Sequence, residues 1–435
     1  MKQTTNEEIR SRKVKKMLPI LDLLFRIHNK LRYDVPFGVK YIRKIDMKKY
    51  KNEPIVVIAN HSTRYDYAFV KGAIGKRIYN FVAAEEEFHR KNLATLFKLG
   101  HCIPKAGFVA DAHSIKQIFK LFKTVKNPCL AVCPCGLPSI SGMQRPVVPG
   151  IGKLLKKLGV RVLLVRIHGS YLTSPRYDIA ERPGCVEVEL EEFCSPEQLA
   201  EFSPEQLDDK LNEVLFTDDY EWNREKQYSY KCKGGAYAQN MEQILYKCPK
   251  CGKEFTMQGR GNVIKCTECG NGATLDDKYN LVPIGDSVIP ISPREWLDMQ
   301  RRDMRRAVKD PDFYLEEHAV LGKQPDYGYV KDNSLTAYPV GDGIIRLDKN
   351  GFSYKGTRDN KPWEVFIPRS LLYTTIMNDD CSYFCTNASG EFLQFIPDRL
   401  SSVHWSLAIE EISREYDGIY ANYPWFDYEA ECKMI

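Results

Sequence analysis

Long apolar runs are missing from this 435-residue chain. None approaches the ~20 consecutive apolar residues that a membrane-spanning helix needs. The longest candidate, Leu18 to Ile27, is broken by Pro19, Asp22 and Arg26. A small-residue cleavage site is missing too. The basic lead (Arg10, Arg12, Lys13, Lys15, Lys16) and its apolar sequel therefore do not read as an export signal. Without export, the 14 cysteines are not a disulfide framework, and a reducing cytoplasm is the expected setting. Acid is scarce in one part only. Residues 1–180 hold 12 acidic against 34 basic side chains, and residues 181–435 hold 45 against 29. The net charge of +6 hides this reversal. A sign change along the chain argues against one uniform domain, and the basic part is expected to meet something anionic.

What is present is ordinary globular material, 43% hydrophobic and 28% charged. At about 150 residues per domain the length suggests roughly two to four domains. Residues 7–32 read as one basic amphipathic helix, either lying in a membrane interface or packed on its own domain. Residues 37–190 alternate apolar runs with helical patterns. Pro54–Ala59, Ile78–Ala83, Cys129–Cys133 and Val160–Ile167 read as strands. Ile115, Ile118, Phe119, Phe122 and Val125 mark a helix over 112–126. The alternation implies an α/β domain with helices covering a sheet. Val186, Val188 and Leu190 alternate with glutamates and predict a half-exposed closing strand. Two Ser-Pro-Glu-Gln-Leu segments, 195–199 and 203–207, read as helix starts, because Pro fits the first helical position.

Three strand ends carry polar groups in order. Asn60, His61, Arg64 and Asp66 follow the first strand. Lys105 ends the segment from Gly100 through Ile103 and Pro104. Cys133, Pro134, Cys135, Gly136, Leu137, Pro138 and Ser139 leave the third. A histidine that takes a proton from a hydroxyl needs a fixed carboxylate to set its tautomer, and ligands of α/β sheets gather at such strand ends. These blocks resemble the glycerolipid (lysophosphatidic acid) acyltransferase family. Asn60, His61 and Asp66 match its Asn-His-four residues-Asp signature. Gly100, Ile103 and Pro104 match its Gly-x-Ile-Pro block. Pro134, Gly136 and Ser139 align with its third block, over about residues 38–215. Cys135 stands where that family has an acid, and Pro138 where it has an arginine. Cys133 and Cys135 are either reactive thiols or small buried residues.

Cys248 and Cys251, then Cys266 and Cys269, form two Cys-x-x-Cys pairs, each followed by glycine. Four thiolates complete a tetrahedral structural zinc site. The module resembles a zinc ribbon. Its charges are mixed, so no nucleic acid is expected. Residues 292–308 read as a helix. Strand patterns follow at Gly343–Leu347, Phe352–Lys355, Trp363–Ile367, Leu371–Met377, Tyr383–Thr386 and Phe392–Ile396, with a closing helix over 401–416. Cys381 and Cys385 are expected as strand residues. This order of elements is similar to that of pleckstrin-homology-like domains.

The expected architecture is therefore an α/β acyltransferase domain with a mixed sheet, a small zinc ribbon, and a C-terminal β-rich domain closed by a helix. The expected divisions are an N-terminal helix (1–36), the acyltransferase domain (37–246), the ribbon (247–283), a helical linker (284–330), the β domain (331–420) and a tail (421–435). The resemblance implies transfer of a fatty acyl group from acyl-carrier protein or coenzyme A to the hydroxyl of a lysophospholipid. His61 would be the base and Asp66 its orienting partner. Asn60, Arg64, Lys105, Gly136 and Ser139 would line the substrate site, with Lys105 on the acceptor phosphate. Structural Zn2+ is the expected metal and an anionic membrane surface the expected partner, with the chain peripheral on the cytoplasmic face. The competing expectation is a non-catalytic lipid-binding or scaffold protein on the same fold.

Overall fold

The computed structural model describes residues 3–332, 334–388, 390–418 and 426–435. The first residues of the expected tail, 421–425, lie outside them. The chain divides into two compact units. One comprises Met1–Thr173, Arg182–Trp222 and Asp326–Ser334, the other Ser174–Glu181, Asn223–Pro325 and Leu335–Ile435.

The first unit begins with two helices, α1 (Thr5–Ser11) and α2 (Pro19–Asn29), where one was expected over 7–32. Proline is the reason. It lacks an N–H and disfavours helical backbone in the residue before it, so Leu18 is extended (ψ 137°) and α2 starts afresh at Pro19. Residues 12–18 run without helix between the two. The remaining elements are β1 (Val39–Arg43), β2 (Ile55–Ala59), α3 (Asp66–Ile74), β3 (Asn80–Ala84), α4 (Lys91–Leu99), β4 (Ile103–Lys105), α5 (Ala112–Thr124), β5 (Cys129–Val132), α6 (Ile151–Leu158), β6 (Arg161–His168), α7 (Ser170–Thr173), β7 (Val186–Cys194), α8 (Pro196–Glu201) and α9 (Pro204–Leu215), with α10 (Asp219–Lys226) after them.

The seven strands form one mixed sheet in the order β1-β7-β6-β2-β5-β3-β4. β2 lies between β6 and β5, parallel to both, and all five of its residues are buried. A strand covered on both faces reads as a continuous apolar run, which is why it was visible in the sequence. β7 runs antiparallel to β6 and parallel to β1. Its Val186, Val188 and Leu190 enter the core, while Glu189 meets Lys44 at 3.2 Å and Arg166 at 2.7 Å. β1 outside it was not anticipated, because its edge residues alternate apolar with charged and only half bury. Alternate residues of β2 face opposite sides of the sheet. Ile55, Val57 and Ala59 pack with α3 and Phe25 of α2, whereas Val56 and Ile58 pack with α5, α6 and α9. Gly152 permits close approach of α6 and α9, since a Cβ there would sit 2.0 Å from the Pro204 carbonyl oxygen.

The second unit contains two sheets. Strands β8 (Met257–Arg260), β9 (Val263–Cys266), β10 (Gly272–Leu275) and β11 (Leu281–Pro283) form an antiparallel ribbon in the order β11-β10-β9-β8. Helix α11 (Pro293–Ala307) follows and braces it: Trp296 Nε1 donates to the Lys247 carbonyl at 2.8 Å. The larger sheet comprises β12 (Tyr314–Lys323), β13 (Tyr338–Asp348), β14 (Gly351–Arg358), β15 (Lys361–Pro368), β16 (Ile376–Met377), β17 (Phe384–Ala388) and β18 (Glu391–Pro397). It is antiparallel, in the order β15-β14-β13-β12-β18-β17-β16, and α12 (Ser402–Asp417) packs Trp405 against Phe352 and Phe384.

Three expectations need correcting here. The stretch 284–330 is not simply a helical linker, since β12 lies within it at the middle of the sheet. Glu316, Glu317 and His318 masked that strand, yet the Glu317 carboxylate is held by Ser401 Oγ at 2.7 Å and Trp405 Nε1 at 3.0 Å. The expected strand Leu371–Met377 shrinks to Ile376–Met377 behind a helical turn at Arg369–Leu371. Cys385 does lie in a strand, but Cys381 sits in a turn with left-handed backbone (φ 57°).

Candidate functional site

The loop after β2 carries the candidate site. Asp66 opens α3 and is fully buried, and its Oδ2 lies 2.8 Å from His61 Nδ1. The same oxygen accepts from the backbone N–H groups of Ser62 (2.6 Å) and Thr63 (3.0 Å). Oδ1 accepts from the hydroxyls of Thr63 (3.2 Å) and Ser170 (3.0 Å). The His61 side chain keeps 20% of its surface open. With Nδ1 engaged by the carboxylate, the Nε2 lone pair is the nitrogen left to take a proton.

The expected site residues separate into two groups. Asn60 is fully buried: its amide group donates to the Ile167 carbonyl at 2.8 Å and to Thr217 Oγ1 at 3.1 Å, and its Oδ1 accepts from the Ile167 N–H at 2.8 Å. It ties the end of β2 to β6 and holds the His61 loop. Ser139 is also buried. Its N–H donates to the His61 carbonyl at 2.9 Å and its hydroxyl to the Met143 carbonyl at 2.6 Å, so it ties the third block to the first. Gly136 is the exposed tip of that block and has left-handed backbone (φ 74°). Arg64 lies over the Tyr65 ring, 4.9 Å from its centre. Lys105 stands apart, since β5 and β3 lie between its strand and β2. Its ammonium donates to the carbonyls of Ala106 (2.6 Å) and Val109 (3.1 Å). Burial pulls it below the usual lysine range, while Asp111, Glu86 and Glu85 act the other way.

Cys135 is buried and Cys133 partly buried. Burial holds both above the usual range, and Cys135 donates to the Leu137 carbonyl at 3.4 Å. Neither is poised as a thiolate nucleophile.

Sequence reasoning missed Ser170, Gln144 and Asp219. Gln144 Oε1 accepts from the His61 N–H at 3.1 Å. The Asp219 carboxyl accepts from the backbone N–H groups of Gly169 and Tyr171, each at 2.8 Å, and so presents Ser170 to Asp66. Burial pushes Asp219 up to about 8 against the pull of those two donors. The available signal was the Gly169-Ser170 pair leaving the apolar run 160–167, a fourth strand end.

The chain is similar to a solved acyltransferase. That structure is the 1-acyl-sn-glycerophosphate (LPA) acyltransferase PlsC from Thermotoga maritima, with 22% identity over 45% of this chain and 76% of that one, at a TM-score of 0.36. No family model and no curated protein matches the chain. Among the described residues no helix is long and apolar enough to cross a membrane.

In the second unit the Sγ atoms of Cys248, Cys251, Cys266 and Cys269 all lie within 4.8 Å of one another. Cys248 and Cys269 are 3.6 Å apart, and Cys251 and Cys266 3.8 Å. Four sulfurs at ~2.3 Å from a tetrahedral ion would be about 3.8 Å apart, so the cluster fits a metal ion. Gly252 and Gly270 follow the pairs with left-handed backbone (φ 73° and 76°), and their N–H groups close tight turns onto Cys248 and Cys266 at 3.0 and 3.1 Å.

Proposed function

We propose that this chain is an acyltransferase that moves a fatty acyl group from a thioester to the hydroxyl of a lysophospholipid such as 1-acylglycerol-3-phosphate. The observation that supports it best is the buried, five-donor Asp66 aimed at a His61 whose side chain stays partly open. His61 Nε2 takes the acceptor hydroxyl's proton as its oxygen attacks the thioester carbonyl. The new C–O bond forms, the C–S bond breaks, and the departing thiolate takes the proton from Nε2. The transient oxyanion needs hydrogen-bond donors from nearby backbone or side chains. No residue of the chain is acylated. Phosphate binding by Lys105 is supported less well, because carboxylates surround it and two carbonyls already hold its ammonium. That arrangement favours the second reading, a lipid-binding protein without turnover.

Zinc is the metal we assign to the four cysteines. Four thiolates leave no open position, so its part is structural. We assign the seven-stranded sheet with α12 to the pleckstrin-homology-like class on its strand order and closing helix. An anionic membrane surface is the assigned partner of α2. Ile20, Leu24 and Ile27 of α2, with Leu18, Leu31 and Val35 flanking it, are half or more exposed, beside Arg26, Lys30 and Arg32. Apolar burial with neighbouring cations is how such helices lie in an interface.

Free-thiol release from palmitoyl-coenzyme A and from a palmitoyl-loaded acyl carrier protein, with lysophosphatidic acid as acceptor, tests the reading. His61→Ala is expected to lower the rate by ~10²–10⁴-fold. Equal rates for variant and wild type would sink the catalytic role and leave the lipid-binding reading.

A further inference from the structure

Three loops around His61 rest on one short segment, Thr217 to Asp219, where α9 passes into α10. Thr217 and Asp219 are fully buried. A buried polar group must find its partners inside the protein, so the bonds of this segment show what it holds.

The first loop carries His61. Thr217 Oγ1 accepts from the amide group of Asn60, the residue before it, at 3.1 Å. The second loop leaves β5. The Gln144 N–H donates to the Thr217 carbonyl at 2.7 Å, and the Asp219 N–H donates to the Gly142 carbonyl at 3.0 Å. With the antiparallel bridge between Met143 and Asp218, these bonds make a short ladder that fixes 142–144 against 217–219. The third loop leaves β6. There the Asp219 carboxylate takes the N–H of Gly169 on Oδ1 and that of Tyr171 on Oδ2. β5 and β6 flank β2 on opposite sides, so the segment bridges loops from both of its neighbours. Tyr171 adds a bond between the same two loops, from its hydroxyl to the Ile140 carbonyl at 2.6 Å.

Each loop then reaches the His61–Asp66 pair. The loop after β5 grips the His61 backbone at both ends, through Gln144 Oε1 on its N–H and the Ser139 N–H on its carbonyl. The loop after β6 sends Ser170 Oγ to Asp66 Oδ1 at 3.0 Å. Thr63 Oγ1, a second donor to that oxygen, lies 3.2 Å from Ser170 Oγ. A general base works only within hydrogen-bond reach of its proton, and a misplacement of about 1 Å can cost about 10²-fold in rate.

From these bonds we infer that Thr217 and Asp219 are positioning residues of the His61–Asp66 centre, acting through Asn60, Gln144 and Ser170. The inference rests on the acyltransferase reading and adds to that site two residues outside all three of its sequence blocks.

The test uses the full chain carrying Asp219→Asn, Thr217→Val or Thr217→Ser, with thermal melts to report folding. Asparagine offers one acceptor oxygen to two N–H donors and turns its own amide N–H groups toward the other. Valine keeps the shape of threonine without the hydroxyl, and serine keeps the hydroxyl. Thiol release from palmitoyl-coenzyme A with lysophosphatidic acid should show kcat lowered about tenfold in Asp219→Asn and about fivefold in Thr217→Val. KM for the lysolipid should stay unchanged, and Thr217→Ser should stay within about twofold of wild type. Hydrogen–deuterium exchange reads the same loop without turnover: the amides of residues 61–63 should exchange faster in Asp219→Asn and Thr217→Val than in wild type or Thr217→Ser. Where Asp219→Asn melts below the assay temperature, the Thr217 pair decides alone. Folded variants with wild-type kcat, or with wild-type exchange at 61–63, would overturn the inference. A raised KM at constant kcat, or a serine variant as slow as the valine one, would overturn it as well. Failure of the acyltransferase reading looks different: wild type and His61→Ala would release thiol equally, and exchange at 61–63 would still decide whether the segment positions the loop.

Discussion

Asp66 distributes five donors over two oxygens, and the distribution predicts how substitutions there behave. The Ser62 and Thr63 N–H groups both address Oδ2, the oxygen that faces His61. An asparagine is therefore forced to place its carbonyl oxygen there and its amide toward the hydroxyls of Thr63 and Ser170, which can accept. Asp66→Asn keeps the imidazole tautomer and removes only the charge that stabilises an imidazolium. The expected loss in kcat is about 10²-fold, with KM for the lysolipid unchanged, by steady-state kinetics. Ser170→Ala removes one donor from Oδ1 and should cost about 1 kcal/mol in positioning, a kcat loss of roughly fivefold at constant KM. His61 and Asp66 were legible because they sit five residues apart after an obvious strand. Ser170 and Asp219 were not, because they approach Asp66 only when β6 pairs beside β2, more than 100 residues along the chain.

Elements stop where their end residues tell them to. Ser195 and Ser203 each form a full capping box, with Gln198 and Gln206 returning the bond, so the paired Ser-Pro-Glu-Gln-Leu segments are two helix starts, as the sequence suggested. Ser203→Ala should lower unfolding free energy by about 1 kcal/mol in urea titration, with its slope unchanged. Apolar runs such as β2 and β6 were readable for their burial, and β12 was not, because its charges have partners far away in sequence. Inside α12, His404 lies edge-on to Tyr246 and Phe255, at 5.0 and 5.3 Å between ring centres. Burial pushes it down to about 4, so it is neutral near pH 7. The unfolded chain binds its proton from about pH 6.5 downward, whereas the folded chain resists until about 4. His404 thus adds stability above pH 6.5 that is lost as pH falls to 4. His404→Phe should flatten that part of a Tm-against-pH curve.

At the scale of the molecule, the cysteine cluster is built into the second unit rather than hung from it. Gln300 of α11 bonds the Lys247 N–H at 2.9 Å and the Ile244 carbonyl at 2.8 Å, directly beside Cys248. Metal removal should therefore loosen more than the ribbon. Freshly purified protein is expected to contain one zinc per chain, and a strong chelator should lower the calorimetric Tm with thiols kept reduced. Metal analysis without zinc in thiol-intact protein would contradict this.

The first unit closes late. Val330, fully buried, donates its N–H to the His89 carbonyl at 2.8 Å, and the Val330 carbonyl accepts from Lys91 at 3.1 Å. These bonds come from Asp326–Ser334, about a hundred residues after the unit's previous segment ends at Trp222. At ~5–20 residues per second of synthesis, the seat beside His89 stands open for roughly 5–20 s on the ribosome. During that interval the nascent first unit has an unpaired backbone edge, and a chain cut after residue 222 would never lose it.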